Sequence, residues 1–212
     1  MSDISFILIG SFTSIFTIVN PFGAIPAFLA LTSAQTDEYR LSQLKKATFF
    51  MFLVLSVFFL AGTYIMNFFS LSLEGMRIAG GIMLIQAAFS MLNPVTKGKK
   101  LSDEDVEELM EKPEIAFSPL AMPLLSGPGS IAVVLGLSSS AKNLIDYPLI
   151  LLSIVIVAIC AYLILRVAPW FSKFLGTTGL TVMTRMMGFI SLCIGIQFII
   201  NGIMPLLAQL MG

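Results

Sequence analysis

The chain contains no histidine. It therefore lacks the commonest metal ligand and the usual general base near neutral pH. No Ser/His, His/Glu or paired-Asp constellation is present to run chemistry, so an intramembrane enzyme is the weakest of the functional readings, and neither a metal nor another cofactor is expected. Cysteine is nearly absent. Cys160 and Cys193 both lie inside apolar runs, and no pair has metal-site spacing, so both read as packing residues. Charge is also scarce, at 11% Asp, Glu, Lys and Arg. A soluble domain needs roughly 25%. Formal net charge is zero, which implies no nucleic-acid partner. The N-terminal Met-Ser-Asp-Ile-Ser-Phe lacks a basic region, so the first apolar run reads as a retained span rather than a removed signal peptide.

What fills the chain instead is apolar. Hydrophobic residues make up 57% of its 212 positions. Mean hydropathy is +0.96. Most of the surface must face lipid. Stretches free of Asp, Glu, Lys and Arg run 4–36, 47–73, 78–96, 115–141, 147–165 and 186–212. A spanning helix takes about 20 apolar residues. Six spans are expected, at 4–31, 47–69, 75–93, 115–139, 146–168 and 181–208. Backbone in hydrocarbon must satisfy its own hydrogen bonds, and no alternating barrel-type segments occur, so the fold class is all-α and polytopic.

Basic residues orient the spans. Arg40, Lys45, Lys46, Lys97, Lys99, Lys100, Lys112, Arg166, Lys173 and Arg185 fall on one side, and only Arg77 and Lys142 on the other. By the positive-inside rule both termini face outside, the periplasm in a Gram-negative cell. The only sizeable polar region, 94–114, reads as a cytoplasmic linker with a short helix capped by Ser102. It joins a first repeat, 1–93, to a second, 115–212, within one membrane domain.

The halves share a pattern. Arg77-x-x-Gly80 opens the third span and Arg185-x-x-Gly188 the sixth; an asparagine, Asn93 or Asn201, follows each arginine by 16 residues. Pro21-Phe-Gly23-Ala-Ile in the first span matches Gly127-Pro128-Gly129-Ser-Ile in the fourth, and hydroxyl pairs Thr32-Ser33 and Ser138-Ser139 follow. Three helices per half is an odd number, so the second half enters the membrane inverted. This is a 3+3 inverted-topology repeat of the kind found in secondary transporters.

The first and fourth spans are broken. Asn20 to Pro26 and Pro119 to Ser130 are dense in Pro and Gly. Proline removes a backbone donor, and each cluster is expected to unwind about a turn. Such backbone is tolerated only inside protein or beside water. The new N-terminus suits a carboxylate and the opposite end an ammonium or cation. The expected substrate site comprises Asn20, Pro21, Gly23, Ala24, Ser126, Gly127, Gly129 and Ser130. Gln86 and Gln197, deep in the third and sixth spans, read as interhelical glue or as pathway lining. Arg77 and Arg185 read as snorkelling anchors or, with Glu74, as gating residues at the rim. No acid lies mid-membrane, where a proton relay normally needs one, so a uniporter or coupling to a cation of unspecified identity sits more easily.

Val19-Asn20-Pro21-Phe22-Gly23-Ala24-Ile25-Pro26 resembles the first signature of the MarC family, and Pro119-Leu-Ala-Met-Pro123 through Gly127-Pro128-Gly129-Ser-Ile resembles its second. Arg77-Ile-Ala-Gly80 and Arg185-Met-Met-Gly188 are similar to its third and sixth spans. The resemblance covers the whole chain. It implies a six-span inner-membrane protein, similar in plan to the lysine exporters, with archaeal relatives that carry glycine and alanine. Asn20 stands where many members have aspartate, and Ser126 where alanine is common. The resulting expectation is a secondary transporter of glycine, alanine or serine, in a lipid bilayer, with a homo-oligomer left open. The rivals are an exporter of drugs or an amphiphilic, lipid-linked solute, and a non-transporting membrane module.

Overall fold

The computed structural model describes residues 2–32, 35–93, 125–141 and 143–211. The 94–114 linker with its Ser102 cap, Ser33, Lys142 and the Pro119 to Leu124 part of the second break lie outside the described residues. Within them the protein is entirely helical. α1 (Ser2–Val19) and α2 (Pro21–Leu31) meet at Asn20. Then come α3 (Asp37–Phe68), α4 (Leu73–Leu92), α5 (Pro128–Ser140), α6 (Asp146–Arg166) and α7 (Ala168–Met211). Among the described residues five segments are long and apolar enough to span a membrane: Ile4–Leu31, Asp37–Phe68, Leu73–Leu92, Asp146–Arg166 and Thr178–Leu210. α5 is apolar but has 13 residues, and it corresponds to the later part of the expected fourth span.

Two boundaries differ from the charge-based expectation. α3 begins at Asp37, ten residues before the apolar run, because Thr36 caps it by accepting from the Tyr39 N–H at 3.3 Å. Asp37 and Glu38 then face the positive end of the helix dipole. Arg40, Lys45 and Lys46 therefore ride on a helix rather than on a link. α7 likewise begins at Ala168, so Arg185 lies well inside it rather than opening it. Its one non-helical residue is Gly176, at φ 63°, which kinks the helix ahead of the spanning part.

The core gathers large side chains from the first segment, α3, α5 and α6. Ile15, Ile25, Phe28, Met51, Leu55, Phe59, Val134, Ile154 and Val157 are all essentially inaccessible. The helices pair in a definite scheme. α1 lies on α6 and α2 on α7; α3 lies on α5 and α6; α4 lies on α5 and, most extensively, α7.

The α4–α7 contact is of a different kind from the core. It is antiparallel and runs through glycine. A Cβ on Gly81 would stand 2.6 Å from the Gly195 carbonyl oxygen, one on Gly195 2.9 Å from that of Gly81, and one on Gly202 2.8 Å from that of Glu74. Small residues let two spanning backbones touch, and dispersion rather than water exclusion then holds them. Gly10 on α1 contrasts with these, since nothing lies within 4 Å of its missing Cβ. Gly10→Ala should leave thermal unfolding in detergent unchanged or raise stability by up to about 1 kcal/mol, the helix-propensity difference.

Candidate functional site

The first break is one residue wide. Asn20 adopts a left-handed conformation, φ 45° and ψ 61°, and the helix resumes at Pro21. No full turn unwinds, because the backbone still bridges the break. Asn20 N–H donates to the Phe16 carbonyl at 3.0 Å, and Ala24 N–H donates to the Asn20 carbonyl at 3.2 Å. Asparagine suits this position, since its short amide tolerates left-handed backbone. The amide is used at both ends. Its Oδ1 accepts from Gly23 N–H, and its Nδ2 donates to Ser191 Oγ on α7, both at 3.1 Å. Aspartate would keep the first bond and lose the second donor. Pro21 has no N–H for the Thr17 carbonyl, which is left without the donor a regular helix supplies.

Asn20→Ala should destabilise the protein by about 2 kcal/mol, combining roughly 1 kcal/mol for the cap and 1 for the left-handed backbone. Asn20→Gly should recover the backbone part only. Thermal unfolding of the three proteins in detergent measures this, and equal midpoints for the Ala and Gly variants would contradict it.

The second break is described from Leu125 onward. Ser126 is fully buried. Gly127 is the N-cap of α5, extended at φ −67° and ψ 172°, with no side-chain cap, and Pro128 takes the first helical position. Ser130 Oγ donates to the Leu125 carbonyl at 3.4 Å. A Cβ on Gly129 would sit 2.7 Å from Leu84 Cδ2 and 3.3 Å from Ile18 Cγ2. Ile18 precedes Asn20 by two residues, so the fold brings the two breaks side by side.

An open cavity of about 330 Å³ lies against this junction. Ile18, Ala132 and Val133, from the helices that carry the breaks, contribute to its lining. Thr13, Ser14 and Thr17 of α1 contribute hydroxyls, as does Ser140 at the end of α5. Arg77, Asn201, Ile194 and Phe198 complete the polar and apolar walls. Arg77 Nη1 donates to the Asn201 carbonyl at 3.4 Å. Among the described residues one guanidinium, several hydroxyls and no carboxylate line a cavity of small-ligand size. Such a set offers donors for a carboxylate and lone pairs for an ammonium.

Of the residues expected from sequence, Arg77 lines the cavity. Pro21, Gly23, Ala24, Gly129 and Ser130 are buried in the packing and do not line it, and Asn20 fixes the α1–α2 joint. Gly23 is closed in by the Asn20 amide and Met91. Gln86 and Gln197 are exposed and line no part of the cavity; Gln197 Nε2 donates to Asn201 Oδ1 at 2.8 Å. Arg185, exposed on α7, does not line the cavity, nor does Glu74, which lies one turn before Arg77 with its carbonyl against Gly202. The α1 hydroxyls escaped the sequence reading. Their signal was three hydroxyls within five positions of an otherwise apolar segment, directly before the break.

A second cavity, about 440 Å³, is an apolar groove between α3 and α6, with Phe49, Phe52, Val155 and Ile159 on its walls and Lys45 and Tyr162 also lining it. It shares no residue with the first.

A family model described as MarC family integral membrane protein matches residues 5–207. A membrane protein of Methanocaldococcus jannaschii is 38% identical over 193 residues, covering 91% of this chain and 94% of its own. The membrane protein YhcE of Escherichia coli is 32% identical over 192 residues, covering 91% and 89%. The inner membrane protein MarC of Citrobacter koseri is 33% identical over 200 residues, covering 90% of each chain. No solved structure matches the chain.

Proposed function

Because the chain belongs to the MarC family of integral membrane proteins, we propose that it is an inner-membrane secondary transporter of small neutral amino acids such as glycine, alanine and serine. The cavity at the junction of the breaks carries this reading. Its volume, about 330 Å³, lies at the low end of ligand sites, which run roughly from 300 to 1,000 Å³. Arg77 takes the substrate carboxylate. The hydroxyls of Thr13, Ser14, Thr17 and Ser140, and the Thr17 carbonyl freed by Pro21, take the ammonium. A net-neutral zwitterion matches one cation without an opposing acid, whereas a basic amino acid finds no counter-charge among the described lining residues.

The helix pairing supports a 3+3 inverted repeat. Under exchange of the halves, the first segment on α6 becomes α5 on α3. The first segment on α7 becomes α5 on α4. The α3–α6 and α4–α7 pairs map onto themselves. All of these contacts occur. A structure with such symmetry has two equivalent ways to open, which is what alternating access requires. No bond is made or broken on this reading, so the protein is not an enzyme.

The test is uptake of labelled alanine into proteoliposomes, with and without sodium and pH gradients. Flux above empty liposomes is expected, competed by glycine and serine and not by lysine. Flux equal to empty liposomes under every gradient sinks the reading. The apolar α3–α6 groove favours a second reading, an amphiphilic cargo. That reading requires transport of an acyl-chain probe and indifference to Arg77.

A further inference from the structure

The α4–α7 pair carries a relation that the cavity uses only once. Arg185 follows Arg77, and Asn201 follows Asn93, by the same 108 residues. The two helices are antiparallel, and Arg77 meets Asn201 across them. At the other end of the pair, a Cβ on Gly188 would touch Met91 Cβ at 2.9 Å and Leu92 Cγ at 3.2 Å. Arg185 lies one turn before Gly188, and Asn93 directly follows Leu92. At the first end Gly80, one turn after Arg77, is turned mainly toward α5, its missing Cβ 2.8 Å from Ala132 Cβ and 3.9 Å from Phe198 Cδ1.

Moved by 108 residues, the cavity walls Arg77, Ile194, Phe198 and Asn201 become Arg185, Gln86, Ser90 and Asn93. Three of these share one stripe of α4, at i, i+4 and i+7. All four are exposed. Ser90 Oγ donates to the Ala87 carbonyl of its own helix. The side chains of Gln86 and Arg185 make no hydrogen bond to any described residue. A polar stripe ending in an arginine is costly against acyl chains, because amide and guanidinium groups lose their hydration without replacement. Intramembrane polar residues of this kind normally face a wet cavity or another protein surface.

We propose that Gln86, Ser90, Asn93 and Arg185 form the wall of a second, oppositely facing vestibule, which receives the carboxylate of the same small zwitterion on the other side of the membrane. The ligand rests on the transporter reading above; the existence of a wet wall does not. Arg185 is its carboxylate anchor, as Arg77 is on the first side. Gln86 and Ser90 are polar where the first side has Ile194 and Phe198, so the second vestibule is the more hydrated of the two.

The test uses the full-length protein in membrane vesicles, with Cys160 and Cys193 replaced by alanine. Single cysteines go in at Ser90→Cys and Asn93→Cys, at Thr13→Cys and Ser140→Cys, and at Leu60→Cys as an exposed apolar reference. A membrane-impermeant thiol reagent is applied to right-side-out and to inside-out vesicles. Ser90→Cys and Asn93→Cys should react at least tenfold faster than Leu60→Cys, and only in the vesicle orientation opposite to the one that labels Thr13→Cys and Ser140→Cys. Excess alanine should slow both groups at least twofold. Reaction at Ser90→Cys and Asn93→Cys no faster than at Leu60→Cys in either orientation overturns the proposal. So does a disulfide between two copies at Ser90→Cys, which makes the stripe an interface. Alanine protection on the first side alone overturns the binding role of the second wall. Protection on neither side, with the opposite-sided labelling intact, supports the second vestibule and counts against the amino-acid reading alone.

Discussion

Arg77→Gln should raise the half-saturating alanine concentration in proteoliposome uptake by tenfold or more, with protein yield unchanged. The reasoning is local. Among the described lining residues Arg77 is the only cation, and none is an acid that competes for it. A hydrogen bond between charged partners is worth about 1.5–3 kcal/mol, or roughly ten- to a hundredfold in affinity. The carbonyl bond to Asn201 is long, at 3.4 Å, so the guanidinium is not committed to the protein. Glutamine keeps a donor and much of the side-chain length, so the packing of α4 survives. Arg77→Lys separates the roles. An interfacial anchor works equally well as lysine, whereas a fork that grips a carboxylate with two parallel donors does not. Unchanged half-saturation in Arg77→Gln removes the carboxylate site from this cavity.

Gly81→Val should prevent accumulation of folded protein. The missing Cβ of Gly81 points at the Gly195 carbonyl at 2.6 Å and at the Ile199 N–H at 3.1 Å. Both are backbone atoms of a spanning helix and cannot rotate away. α4 and α7 must then separate, and their other close contacts at Gly188, Gly195 and Gly202 open with them. Overpacking typically costs 1–3 kcal/mol where side chains can adjust. Here nothing can adjust locally, so the cost falls at or above the top of that range. Size-exclusion yield and thermal unfolding in detergent read the outcome. Gly136→Ala is the matched control, because its Cβ meets only Leu73 Cδ1 at 3.4 Å. A monodisperse, normally melting Gly81→Val protein shows the glycine seam to be slack. The same geometry bars Gly129→Val as a probe of substrate binding, since that side chain collides with Leu84 before any ligand is considered.

The sequence by itself determined that the protein is helical and lies in a membrane. With 11% charge, it has too few polar side chains to cover a water-facing surface, and hydrocarbon leaves the backbone no hydrogen-bond partner but itself. It also marked the stretches Asn20 to Pro26 and Pro119 to Ser130 as places where regular helix is interrupted, because proline lacks a backbone donor and glycine permits backbone no helix uses. The family signature was legible for the same reason: it consists of those backbone-breaking residues.

Other features depended on tertiary contacts. Charge position misplaced the start of α3, since a helix begins where a cap is available, at Thr36, and not where charge ends. The first break is one residue wide because backbone bonds bridge it, and its Asn20 amide is tied to Ser191, 171 residues away, a partner that sequence does not reveal. The role of each small or polar residue was decided by what stands opposite it. Gly23 and Gly129 look alike in sequence to a glycine that admits a ligand, yet Met91 and Leu84 fill the space beside them. The hydroxyls of Thr13, Ser14 and Thr17 became a cavity wall because α4, α5 and α7 leave a gap there. Periodicity states which residues share a helix face; only the packing of the other helices states whether that face meets protein, lipid or water.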